Sequence, residues 1–216
     1  MMLFFKSNNL NKLLSSYEAS DRRWNVDVTT LSFEDCTSNL EKFISQRESQ
    51  RARLETFFEE KFDLRLLDLF KKNALLNTLV IINEWSHQYL LPVYKKNFRF
   101  TEFFFSRPFS EKDKVLLLIS DLGFYFGDVI KHHSPEYEWS LIAGLKQADD
   151  YEFHRPVLSI NGDHLFDIER VTYQQYKNYV HEFRIHKEAF GKNKAFEAVG
   201  DLDKFTGHML RFFRDL

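Results

Sequence analysis

The stretch from Ser110 to His133, SEKDKVLLLISDLGFYFGDVIKHH, leaves this chain few ways to fold. Ser110 ahead of Glu111 and Asp113 reads as an N-cap with acids in the first turn, and Pro135 stops the pattern shortly after His133. A helix of about six turns is expected. At about 100° per residue, Val115, Leu116, Leu118, Ile119, Leu122, Tyr125, Phe126, Val129 and Ile130 fall on one half of the cylinder. The other half carries Lys114, Asp121, Asp128, Lys131 and His132, yet Leu117 and Phe124 sit in its middle. A helix with apolar residues on both halves has to be covered on both, so this one is expected at the centre of the fold. Mid-helix glycines each cost about 1 kcal/mol against alanine, so Gly123 and Gly127, four apart, imply a neighbour packed closely on the helix backbone.

The segments before this helix read as helical. Residues 2 to 18 fit a short helix with Leu3, Leu10, Leu13, Leu14 and Tyr17 inward. From Glu34 the pattern runs through Leu40, Phe43 and Ile44 to Leu54, Phe57, Phe58 and Phe62, around a middle, SQRESQRAR, that holds no large apolar residue. Arg47 and Arg51 share one face of that middle, which is expected either to be solvated or to meet carboxylates or phosphates. From Leu64 to Leu90 the sequence is apolar nearly all round and reads as one central helix. Asn73, Asn77 and Glu84 line up on it and are candidates for burial. Pro92 closes that helix, and NFRFTEFFFSRP reads as an extended segment laid over the core.

After Pro135 the period changes. Trp139, Leu141 and Ala143 alternate with Ser140, Ile142 and Gly144, as in a strand with one buried face. RPVLSI and HLFDI flank Asn161-Gly162, the strongest hairpin signal in the chain. Helical spacing resumes from Val171, and Asp201 is expected to open a last amphipathic helix. The fold class expected is therefore α+β and mostly helical, with a small antiparallel sheet of about three strands packed on a central buried helix. One domain is expected over residues 1–216, with a helical N-terminal half (about 1–108) and a helix-hairpin-helix C-terminal half (about 109–216).

Chemical motifs are sparse. His181 and His186 are five apart, about 140° divergent on a helix, and do not form the four-residue zinc pair. Glu84-Trp85-Ser86-His87 has the form of a di-iron ligand pair but lacks a second copy. Asp128 and His132, with His133 adjacent, could offer a cation two ligands, which do not make a site. No phosphate-binding glycine loop or G-x-S-x-G elbow occurs, and Cys36 has no histidine partner in sequence. Asp121 and Asp128 point the same way about 10 Å apart along the axis, too far to share a proton, so salt bridges to neighbouring helices are expected for them. The candidate polar site is thus Glu84, Asp121, Asp128, Arg47 and Arg51; no catalytic residue, metal or cofactor is assigned.

With 30 basic and 32 acidic side chains, a net charge of −2 supplies no global field for nucleic acid or an anionic membrane. A single cysteine fits a reducing cytoplasm. The opening MMLFF is too short for a signal-peptide core, and no run reaches the roughly 18 apolar residues that span a bilayer. A cytoplasmic protein without membrane association is expected.

One resemblance adds to this. Leu122-Gly123-Phe124-Tyr125-Phe126-Gly127-Asp128, then Trp139, the RPVLSI strand and a further helix resemble a group of uncharacterised bacterial proteins. In that group a helix carrying L-G-x-x-h-G-[ED] precedes a tryptophan-containing strand and a β-hairpin, and some relatives sit among toxin-immunity and other small accessory proteins. The likeness covers residues 112–180, with Asp128 where Glu is commoner. It implies a fold rather than an activity, with Gly123, Gly127, Asp128 and Trp139 as signature residues; Phe124 is a further packing candidate. The function expected is non-catalytic protein binding of immunity or accessory type, with another protein as partner. The alternative is an enzyme or a small-ligand or metal-binding module built on the carboxylates of the central helices.

Overall fold

The computed structural model of the chain describes residues 10–19, 32–93, 114–141 and 155–214. It is mostly helical with a small antiparallel sheet, an α+β architecture. Leu10–Leu13 (α1) runs into a 3-10 turn, Leu14–Ser16, and buries Leu10, Leu14 and Tyr17. Phe33–Phe62 (α2) starts in a capping box: Ser32 Oγ accepts from the Asp35 N–H at 3.1 Å, and Asp35 Oδ2 accepts from the Ser32 N–H at 3.0 Å. It ends where Asp63 turns left-handed, at φ 52°, and its N–H returns to the Glu59 carbonyl.

The region expected as one helix from Leu64 to Leu90 is two pieces. Leu66–Phe70 forms a 3-10 turn, the chain bends through Lys71 to Ala74, and Leu75–Tyr89 (α3) follows. Lys71 secures the bend by donating to the Asp68 side chain at 2.7 Å and to the Asp68 carbonyl at 3.1 Å. The all-round apolar pattern thus came from joining two segments that face different ways. In α3 itself Leu75, Leu79, Ile82 and Trp85 are buried, whereas Leu76, Val80 and Ile81 are 53%, 47% and 42% exposed. Asn73, Asn77 and Glu84, expected to be buried, are exposed on that open side. The buried amide is Asn83, whose Oδ1 accepts from the Thr206 N–H at 2.8 Å.

Lys114–His133 (α4) is the centre of the fold. Every residue from Val115 to Gly127 is buried, Leu117 and Phe124 included, so both halves of the cylinder are covered. Ser110, its expected cap, and the phenylalanine-rich run 98–105 lie outside the described residues. Tyr137–Ser140 (β1), Val157–Ile160 (β2) and Asp163–Phe166 (β3) form the sheet, in that order. β1 and β2 pair over four consecutive partners, Tyr137↔Ile160 to Ser140↔Val157. The three expected strands are present, but β3 meets β2 only at Leu158↔Phe166 and Ile160↔Asp163, with an irregularity between, so the regular pairing is confined to β1 and β2. Asn161 and Gly162 make the hairpin corner with φ of 52° and 79°, the left-handed conformation that a two-residue turn requires.

Ile168–Phe190 (α5) is capped by Asp167, which accepts from the Arg170 N–H at 2.9 Å. It lies along α4 where Gly123 leaves room: a Cβ there would stand 3.0 Å from the Glu169 Cα. One turn on, a Cβ at Gly127 would stand 2.4 Å from the Trp139 ring. The two glycines therefore admit α5 and β1, respectively. Lys192–Ala198 (α6) and Gly207–Phe213 (α7) complete the chain. Asp201 opens a 3-10 turn instead of the last helix, because Asp203 and Gly207 return to the carbonyls of Gly200 and Lys204 at 2.9 Å each. α7 then presents His208, Met209 and Phe213 to the core.

Candidate functional site

Asp121, Tyr125 and Asp128 recur at helical spacing on α4 and give it one polar stripe, which meets the charged middle of α2. Arg47, buried, donates to Asp128 through Nε at 3.1 and 3.3 Å and through NH2 at 2.6 Å. Its NH1 donates to Gln50 Oε1 at 2.9 Å, and the Trp139 indole N–H donates to Asp128 Oδ1 at 3.0 Å. The guanidinium lies 5.0, 5.8 and 5.9 Å from the ring centroids of Phe43, Phe124 and Trp139. Arg47 therefore joins α2, α4 and β1 through one charge and three rings.

Arg51, half-buried, stands 3.7 Å from Glu55 and 5.0 Å from the Phe70 centroid. Glu55 in turn accepts the Tyr125 hydroxyl at 2.8 Å, and burial pushes the Tyr125 phenol up, with the Glu55 charge adding to it. Asp121 accepts the Tyr17 hydroxyl. The face of α2 that carries Arg47 and Arg51 is accordingly an interface that meets carboxylates, while Glu48, Ser49, Ala52 and Arg53 are exposed on the rest of that middle.

Of the five candidate residues, four line this seam: Arg47, Arg51, Asp121 and Asp128. Glu84 does not join them, because it projects from the exposed side of α3. Tyr17, Gln50, Glu55 and Tyr125 were missed. Tyr125 was legible, since it stands between the two aspartates at the same helical spacing, but its ring placed it in the apolar half. Tyr17 was not, because it comes from 104 residues away along the chain. A second buried charge cluster was also missed: Arg155 bridges Asp167 at 3.3 Å and donates to Glu169, so β2 is fastened to the first turn of α5.

Among the described residues two open depressions are seen, one of about 370 Å³ lined by Tyr17, Arg53, Phe57 and Lys61 among others, one of about 290 Å³ lined by Lys177, His181 and Arg184. Neither is lined by Arg47, Asp121, Asp128 or Glu84. Among the described residues no group of three or more His, Cys, Asp or Glu side chains could hold a metal ion. His87 faces away from any such group: its Nδ1 lies 3.0 Å from the Tyr179 hydroxyl and its ring packs on Phe183 and Phe196. Cys36 is buried, and that burial pushes its thiol up, away from the reactive thiolate.

His208 is the other buried titratable group. Its Nε2 lies 3.1 Å from Thr172 Oγ1 and its ring stands edge-on to Phe126. Burial, with the Arg211 charge behind it, depresses its pKa to about 3, against a smaller upward pull from the Phe205 carbonyl. The native ring stays neutral while an unfolded histidine, titrating near 6.5, takes up a proton, so stability is complete above pH 6.5 and lost as pH falls below it. The loss is about 1.4 kcal/mol per pH unit, or about 2 kcal/mol by pH 5. Urea midpoints of the wild type and His208→Gln at pH 7.5 and 5 should diverge by that amount; parallel pH dependences would refute the account.

No helix among the described residues is long and apolar enough to cross a membrane. No protein-family model, no curated protein and no solved structure matches this chain.

Proposed function

We propose that the chain is a non-catalytic, cytoplasmic protein-binding protein and that its contact surface is the outer side of α3. The observation that carries this reading is the pair Leu76 and Val80, one turn apart and each about half exposed, with Ile81 open on their flank. Large side chains left open in a row mark a contact surface more often than single exposed residues do. The interior offers less to the alternative reading: Asp128 and Asp121 are bonded to Arg47, Trp139 and Tyr17, and neither depression seen among the described residues is lined by either carboxylate. The immunity or accessory character rests on the resemblance of residues 112–180. Capture from native cell extract tests the contact surface. Tagged wild-type chain should recover a protein that Val80→Glu no longer recovers, and equal recovery by both would refute the assignment of α3.

A further inference from the structure

The depression of about 290 Å³ on α5 is lined by Gln174, Lys177, Asn178, Val180, His181 and Arg184. We infer that it binds a multiply charged phosphate group, recognised through its oxygens alone. At about 100° and 1.5 Å per residue, Lys177, His181 and Arg184 fall within about 60° of one another around the helix and within about 10 Å along its axis. Basic side chains at that spacing repel one another, and an anion set among them reverses the sign of the interaction. Among the described residues no carboxylate lines the depression: Glu182 and Glu188, the acids of α5 that flank the row in sequence, both lie outside it. The net charge of −2 thus hides a local field of the opposite sign.

The two amides add to this. Gln174 Nε2 donates to Asn178 Oδ1 at 2.8 Å, which occupies the Asn178 acceptor and leaves its NH2 group and the second Gln174 N–H as donors. With the Lys177 ammonium, the Arg184 guanidinium and the His181 ring N–H, the lining is rich in donors. Its acceptors are few: the Gln174 carbonyl and the unprotonated imidazole nitrogen. The matching ligand therefore accepts hydrogen bonds on every side and carries more than one negative charge, as an ionised phosphate does. A lone carboxylate would leave most of these donors unmatched. Val180 is the one apolar residue of the lining and no aromatic ring belongs to it among the described residues, so a nucleobase finds no platform for stacking. Recognition is of the phosphate itself, whether free or at the end of a larger small molecule. The site draws on no residue of α3, so it stands or falls separately from the contact surface proposed above.

Calorimetric titration of the full chain with pyrophosphate at low salt should show one saturable site with a Kd of about 1 mM or tighter. ADP, which carries the same diphosphate on a nucleoside, should bind with an affinity within about threefold of it. Lys177→Gln and Arg184→Gln should each weaken pyrophosphate binding about fivefold or more. Lys187→Gln removes an equal charge from an exposed position of α5 outside the depression and should change the affinity by less than about twofold. None of the three side chains is buried, so thermal midpoints should match the wild type; should Lys177→Gln or Arg184→Gln melt earlier, the other carries the test. The absence of saturable pyrophosphate binding up to about 10 mM would overturn the inference. Equal weakening by Lys187→Gln would overturn it too, since the charge of the helix at large, and not the depression, would then be what the anion reads. ADP binding about tenfold tighter than pyrophosphate would overturn recognition through the phosphate alone.

Discussion

Gly127→Leu is expected to destabilise the protein by at least about 3 kcal/mol, a fall in thermal midpoint of at least about 6 °C for a chain of this size. The cause is the Trp139 ring, whose Cη2 and Cζ2 would lie 2.4 and 2.6 Å from a Cβ at this position. The Ile168 side chain stands 3.2 Å away on the other flank. The ring has little freedom to retreat, because its N–H is bonded to Asp128 and its faces and edges meet Phe43 and Phe124 at centroid distances of 5.0 and 5.9 Å. Gly127→Ala separates this crowding from helix propensity. At an open helical site that change stabilises by about 1 kcal/mol. Here the added methyl should lower stability despite the propensity gain. An unchanged melting temperature for Gly127→Leu would show that β1 does not depend on this contact.

Arg47→Met should cost about 3 kcal/mol. Its side chain and that of Asp128 are only 10% and 11% exposed, so removing the cation leaves a nearly buried carboxylate whose remaining partner is an indole N–H. Methionine keeps length and contact with Phe43, Phe124 and Trp139, which isolates the lost charge from lost packing. Replacing both members, as Arg47→Met with Asp128→Leu, should recover a substantial part of the loss, because the penalty lies in the unpaired charge rather than in the absence of the pair. Urea midpoints at constant slope measure both. A single variant within about 0.5 kcal/mol of the wild type would mean that water reaches Asp128 freely.

What was legible in the sequence is what local periodicity and local chemistry determine. The central helix could be read because Leu117 and Phe124 interrupt its polar half, and both are buried. Gly123 and Gly127 could be read as contact points because two glycines inside a helix need a reason. Asn161-Gly162 could be read because only a narrow set of residues adopts that corner.

The region from Leu64 to Leu90 was misread for a physical reason. A continuous apolar run looks the same whether one helix buries every side or two short segments each bury one. Only the bend at Lys71, held by Asp68, tells them apart. The candidate site was half legible in the same way. Asp128 stood out as a charge inside apolar surroundings and Arg47 as one of two arginines sharing a face of a polar helix middle, but their joining depends on how α2 lies across α4. Tyr17 and Trp139 reach that seam from two other places in the chain, and no local periodicity marks them as neighbours of Arg47. Glu84 was drawn into the set because it lines up with Asn73 and Asn77 on a segment that reads as one helix buried all round.

Trp139 belongs to the sheet by backbone and to the helices by side chain. The indole closes the space between Phe43 and Phe124 and supplies one of the bonds to Asp128. Cutting the gene after residue 134 would therefore not yield a self-sufficient helical fragment. Such a fragment would carry an open slot beside Gly127, and a synthetic peptide spanning residues 135–141 would be the natural plug for it.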